Sequence, residues 1–75
     1  MTLGDLDFKM RLIQNFQINY DRTEGEFRTM MLSQSRRVIA EIKTAIKNGE
    51  VTAQDAGAAT RLYKVGRIIK LAKEN

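Results

Sequence analysis

The chain has 75 residues, with 13 Lys and Arg against nine Asp and Glu, a net charge of +4, and neither cysteine nor histidine. This composition excludes disulfides, thiolate nucleophiles, zinc-finger ligand sets and imidazole acid–base chemistry in one step. The length allows a single domain, residues 1–75, and a chain of this size buries only about 60% of its unfolded surface, so its stability is marginal unless a disulfide, a metal or a partner adds to it.

No apolar run approaches the roughly 18 to 20 residues that cross a bilayer, and charged residues recur throughout. Residues 1–7 hold two acids and no basic stretch, which is unlike a secretory leader, so the expected address is cytoplasmic with no membrane partner. The excess of base favours anionic partners without selecting one.

Three times a threonine precedes an acid by three positions: Thr2 and Asp5, Thr23 and Glu26, Thr52 and Asp55. A threonine oxygen accepts an exposed N–H of a helix start, and an acid at the third helical position faces the positive helix end. Three helices are therefore predicted, over residues 3–20, 24–48 and 52–74. The absence of proline and of any alternating β-branched run leaves no hinge and no strand, and the fold class is all-α.

The first helix carries Leu6, Met10, Ile13, Gln17 and Tyr20 at steps of four and three, widened by Leu12 and Phe16. The second carries Phe27, Met31, Val38, Ile42 and Ala45, interrupted by Ser35, and stops at Asn48-Gly49, where glycine supplies a left-handed residue. Gly25 weakens its first turn by roughly 1 kcal/mol relative to alanine. The third carries Ala58, Leu62, Val65, Ile69 and Ala72 as a bundle seam. Met10, Met30 and Met31 suit either an irregular core or an adaptable contact surface.

The predicted lengths differ. At 1.5 Å per residue the first helix measures about 26 Å and the second about 38 Å, so the first cannot cover the whole of the second. The expected architecture is an up-down-up bundle, or a long helical hairpin with a short N-terminal helix, whose alanine-rich tip at residues 46–59 stands bare. Ile46, Ala53, Ala56 and Ala59 are the candidate partner-binding residues of that tip. Residues 1–3 folding over it is the equally weighted alternative.

The strongest charge pattern is Arg61, Lys64, Arg67, Lys70 and Lys73, a base at every third position. Steps of three retreat by about 60° each on a helix, so these heads wrap around it and form no single face. With Arg36 and Arg37 they are the candidate anion or nucleic-acid contacts. Against that, an up-down-up bundle brings Asp21, Glu24 and Glu26 near Lys70 and Lys73, and self-neutralisation is the preferred explanation. Glu41 stands one turn after Arg37 as its expected brace.

Residues 51–69 fit either a helix-turn-helix or one continuous helix; Thr60 stands where the turn glycine is expected, and the continuous helix is preferred. Tyr63 is expected to pack at the seam edge in preference to stacking over Arg67. No carboxylate pair is set at helical spacing for acid–base or metal chemistry, Ser33 and Ser35 lack an activating base, and no phosphate-binding glycine motif occurs, so no cofactor, no small-molecule substrate and no enzymatic activity are expected. The expected function is binding of another macromolecule: protein in preference to nucleic acid, as a homo-oligomer or one piece of an assembly. Size and composition suit an accessory protein of a phage, plasmid or bacterial operon.

Overall fold

The computed structural model describes residues 1–74 and contains four helices, α1 (Leu3–Arg22), α2 (Glu26–Lys47), α3 (Ala53–Tyr63) and α4 (Gly66–Glu74). The described residues are all-helical apart from the turns, with no strand. The predicted third helix is thus two helices.

Two of the three threonines act as expected. Thr2 Oγ1 accepts the Asp5 N–H at 3.1 Å while Asp5 accepts the Thr2 N–H at 2.9 Å, and Thr52 and Asp55 repeat the exchange at 2.9 and 3.4 Å. The Thr2 N–H also holds the Asp5 carboxyl below the usual carboxylate range. Thr23 does something else: it closes α1, and its hydroxyl donates to the Asn19 carbonyl at 2.8 Å. Gly25, at φ 65°, makes the turn and starts α2 with no side-chain cap. The Arg28 guanidinium braces this junction, 4.5 Å above the Tyr20 ring with Nε donating to the Tyr20 carbonyl at 3.1 Å.

The stop at Asn48-Gly49 is as predicted. Gly49 lies at φ 76°, its N–H donates to the Ile46 carbonyl, and the Glu50 N–H donates to the Ala45 carbonyl at 2.9 Å. The same six-residue pattern recurs at the end of α3, where Val65 N–H reaches the Thr60 carbonyl and Lys64 N–H the Arg61 carbonyl. Here the left-handed residue is Lys64, at φ 56° and ψ 44°. A side chain in that region costs on the order of 1 to 2 kcal/mol, so other contacts must hold the break open.

Two glutamines of α1 supply them. Gln14 donates to the Tyr63 carbonyl at 3.1 Å. Gln17 donates to the Lys64 carbonyl at 2.9 Å and accepts the Ile68 N–H at 3.2 Å, so one amide caps the end of α3 and the start of α4. Both backbone groups are among those that a helix terminus leaves without an intrahelical partner.

The break sets the core. Leu6, Met10 and Ile13 of α1 meet Val38, Ile39, Ile42 and Ala45 of α2, with Val51, Ala56, Val65, Ile68 and Ala72 completing the cluster. α1 packs on α2 and α3, and α4 packs mainly on α2. Because the chain turns at Lys64, the helical phase resets there. Ala56 is the buried residue of α3, while the predicted seam residues Ala58 and Leu62 are exposed, Leu62 by 72%. Val65 and Ala72 are buried as predicted, and Ile68 replaces Ile69 as the most deeply buried side chain of α4. Phe27 lies outside the core at 61% exposure, on the uncapped first turns of α2, and Ser35 is buried with its hydroxyl donating to the Met31 carbonyl at 2.8 Å.

Of the two equally weighted readings of the tip, the fold of the first residues over it is seen at Met1, while Leu3 stays exposed. Val51 is buried in the α2–α3 turn, Met1 packs against the core, and the Met1 amine pairs with Glu50, whose carboxyl is lowered by that hydrogen bond. Of the four tip residues, Ala56 is buried, Ile46 and Ala59 are half-buried, and Ala53 is exposed.

Thr52→Ala and Thr2→Ala each remove a capping oxygen and are expected to cost about 1 kcal/mol in urea unfolding, whereas Thr23→Ala, which removes only a hydroxyl donor at a helix end, costs a few tenths. Equal losses at all three would contradict this division. Gln17→Leu removes the partner of the part-buried Ile68 N–H, leaves the exposed Lys64 carbonyl to water, and is expected to cost about 1 kcal/mol. Asn15→Leu, on the exposed side of the same helix, stays within about 0.5 kcal/mol of the parent.

Candidate functional site

The charged residues fall into two groups. Six of the nine acids have assigned work: Asp5 and Asp55 cap helices, while Asp7, Asp21, Glu41 and Glu50 form ion pairs. Asp7 pairs with Arg11 at 3.0 Å and also accepts the Tyr63 hydroxyl. Arg11 Nε donates to that same hydroxyl, and the two contacts raise the guanidinium pKa, Tyr63 more than Asp7. Tyr63 therefore packs at a seam edge and does not stack on Arg67. Glu41 reaches across to Lys9 of α1 instead of bracing Arg37.

Asp21 takes Arg67 and raises its pKa through that hydrogen bond. Among the described residues this is the one pairing between the α1–α2 junction and the basic C-terminal turns. Lys70 and Lys73, the expected partners of the acidic junction, form no ion pair with any described residue, nor do Arg61 and Lys64. The predicted self-neutralisation reaches Arg67 and stops there, because the break at Lys64 rotates α4 and sets Lys73 against α2.

There Lys73 joins two bases of α2. A shallow cavity of about 450 Å³ is lined by Arg36, Ile39, Ala40, Lys43, Ala72 and Lys73. A second cavity of about 220 Å³ adjoins it, sharing Ile39, Lys43 and Lys73 and extending past Ile46 and Ile69 to Ala56, Gly57 and Thr60. Together they form a trough with α2 on one side and α3 and α4 on the other, open because α3 packs on α1 and scarcely touches α2. Its floor is aliphatic, its rim carries three bases, and no acid lines either part. Arg36 has a structural task as well, since its Nε donates to the Ala72 carbonyl at 3.0 Å near the end of α4.

The predicted sites therefore divide. Arg36 and Lys73 converge on the trough, as do Ile46 and Ala56 of the tip group. Arg37 lies on another face of α2, in a cavity with Glu26, Thr29 and Met30. Ala59 faces a groove between α1 and α3 with Leu3, Leu6, Ala58 and Leu62. Ala53, Arg61, Lys64, Arg67 and Lys70 line none of these cavities. Lys43, which the sequence sets with Arg36 and Lys47 on the side of α2 opposite its apolar stripe, lies instead beside Ile39 and Ile46 and joins the trough as a base outside the predicted site set. Arg36, Lys43 and Lys47 recur at steps of seven and four along one strip of α2.

Among the described residues no group of three or more acids is placed to hold a metal ion, and no described helix is long and apolar enough to cross a membrane. Comparison with known proteins returned no matching family model, no matching curated protein and no matching solved structure.

Arg36→Gln loses the contact with the Ala72 carbonyl and is expected to lower stability by about 1 kcal/mol. Lys43→Gln and Lys73→Gln, which break no ion pair, stay within about 0.5 kcal/mol in the same thermal melts. A large loss at Lys43 would mean that this base is structural.

Proposed function

We propose that the chain is a non-enzymatic helical module that acts by binding another protein, with the trough as its contact surface. The observation that carries this reading is the combination of an open aliphatic floor with an unneutralised basic rim. An apolar surface of this kind is stabilised by covering it with apolar side chains, and a rim of one sign selects what covers it.

Two further features support the reading. With cysteine and histidine absent from the sequence and most acids engaged in caps and ion pairs, the chain has few groups left to move protons. Large apolar side chains also stand exposed elsewhere, Leu3 and Leu62 beside the α1–α3 groove and Phe27 with Met30 on α2. These offer a second contact surface for a larger assembly or for self-association.

The alternative, nucleic-acid binding, draws on Arg61, Lys64 and Lys70 around the α3–α4 turn, which are exposed and form no ion pair with a described residue. The aromatic platforms that single strands need are missing from these turns, because Tyr63 is engaged by Asp7 and Arg11. Pull-down from a lysate of the source organism, with and without nuclease, separates the two readings. A captured protein that survives nuclease is expected. Loss of capture on nuclease treatment, with direct duplex binding that falls steeply as salt rises, would transfer the function to nucleic acid.

A further inference from the structure

The trough has a direction and a length. On α2 the residues Leu32, Ile39 and Ile46 recur every seven positions, and the bases Arg36, Lys43 and Lys47 run beside them. An apolar strip flanked by a charged strip is the pattern one helix presents to another, with the apolar side chains in the seam and the charges choosing the partner. The α2 residues that line the trough run from Arg36 to Ile46, about 15 Å or nearly three helical turns. Across the trough the wall is low: Gly57 has no side chain, and Ala56 and Thr60 are small. The open strip matches a single helix in length.

We propose that the trough takes a single amphipathic helix from a different protein, about three turns long, with an aliphatic seam over Ile39, Ile46 and Ile69 and acids beside Arg36, Lys43 and Lys73. This rests on the reading of the chain as a protein-binding module and names the chemistry of its partner. Charge complementarity argues for the acids, since no acid among the described residues lines the trough. The same accounting argues against a second copy. Of the nine acids only Glu24, Glu26 and Glu74 are outside caps and ion pairs among the described residues, and Glu24 and Glu26 sit together at one turn while Glu74 stands alone at the end of α4. No helix of this chain presents acids along three turns. A nucleic acid would neutralise the rim but leave the aliphatic floor uncovered.

The test uses the full chain, labelled with nitrogen-15, and two helix-stapled peptides of about 14 residues sharing one leucine seam, the first flanked by glutamates and the second by lysines. The expected result is that the acidic peptide binds and shifts the amides of Ile39, Lys43, Ile46 and Ala72, while the basic one does not. The double variant K43E/K73E, with an unchanged circular dichroism spectrum, is expected to bind the acidic peptide on the order of tenfold or more weakly and to gain affinity for the basic peptide.

Equal binding of both peptides to the parent chain overturns the proposal, as does an absence of binding up to about 1 mM. Shifts confined to Leu3, Ala58 and Leu62 overturn the trough as the site while leaving protein binding in place. Shifts of the trough amides on raising the concentration of the chain alone overturn the choice of a different protein in favour of a second copy. A duplex oligonucleotide that shifts the trough amides where neither peptide does overturns both the proposal and the reading on which it rests.

Discussion

Together with Gln14, the side chain of Gln17 clamps the break between α3 and α4. Its amide group satisfies a carbonyl at the end of α3 and an N–H at the start of α4, the two kinds of backbone group that a helix break exposes. Without such a clamp, the residues around Lys64 have good reason to continue as helix: a lysine disfavours the left-handed region, and continuing would form more intrahelical bonds. With it, the chain turns, Val65 and Ile68 become fully buried, and α4 lies back along α2. The burial of Val65, Ile68 and Ala72 and the place of Lys73 beside α2 follow from that turn.

The charge distribution has the same origin. A continuous helix with a base at every third residue spreads its positive field around its circumference. Breaking it at Lys64 divides the set. Arg67 reaches Asp21 and is neutralised, while Lys73 moves beside Lys43 and Arg36, which belong to a different helix. The local excess of base is therefore a tertiary effect, larger at the trough than a net charge of +4 implies.

What could be read from the sequence was what local chemistry decides. The capping oxygens of Thr2 and Thr52, the glycine at 49 and the α1 stripe through Leu6, Met10 and Ile13 are settled within a few residues, and each appears where the sequence puts it. Thr23 failed because a competing local signal two residues on, Gly25, made the turn first. The break at Lys64 was illegible for a different reason. No glycine marks the left-handed position, and the groups that stabilise it come from α1, nearly fifty residues earlier. Gln17 was visible as a polar member of an apolar stripe, but the meaning of that position depends on what it meets. The trough was half legible: the strip of Arg36, Lys43 and Lys47 is in the sequence, whereas Lys73 joins it only through the turn.

The small residues of α3 carry a consequence of their own. This helix is eleven residues long, docks on α1 through Ala56, Ala59 and Tyr63, and has little hold on α2. An isolated helix of that length is marginal in water, and alanine contributes little buried area. What holds it is therefore its dock on α1, the Thr52 cap at its start and the Gln14 and Gln17 contacts at its end. The wall that α3 gives the trough is thus braced chiefly from the α1 side, and its small residues leave the face toward α2 shallow.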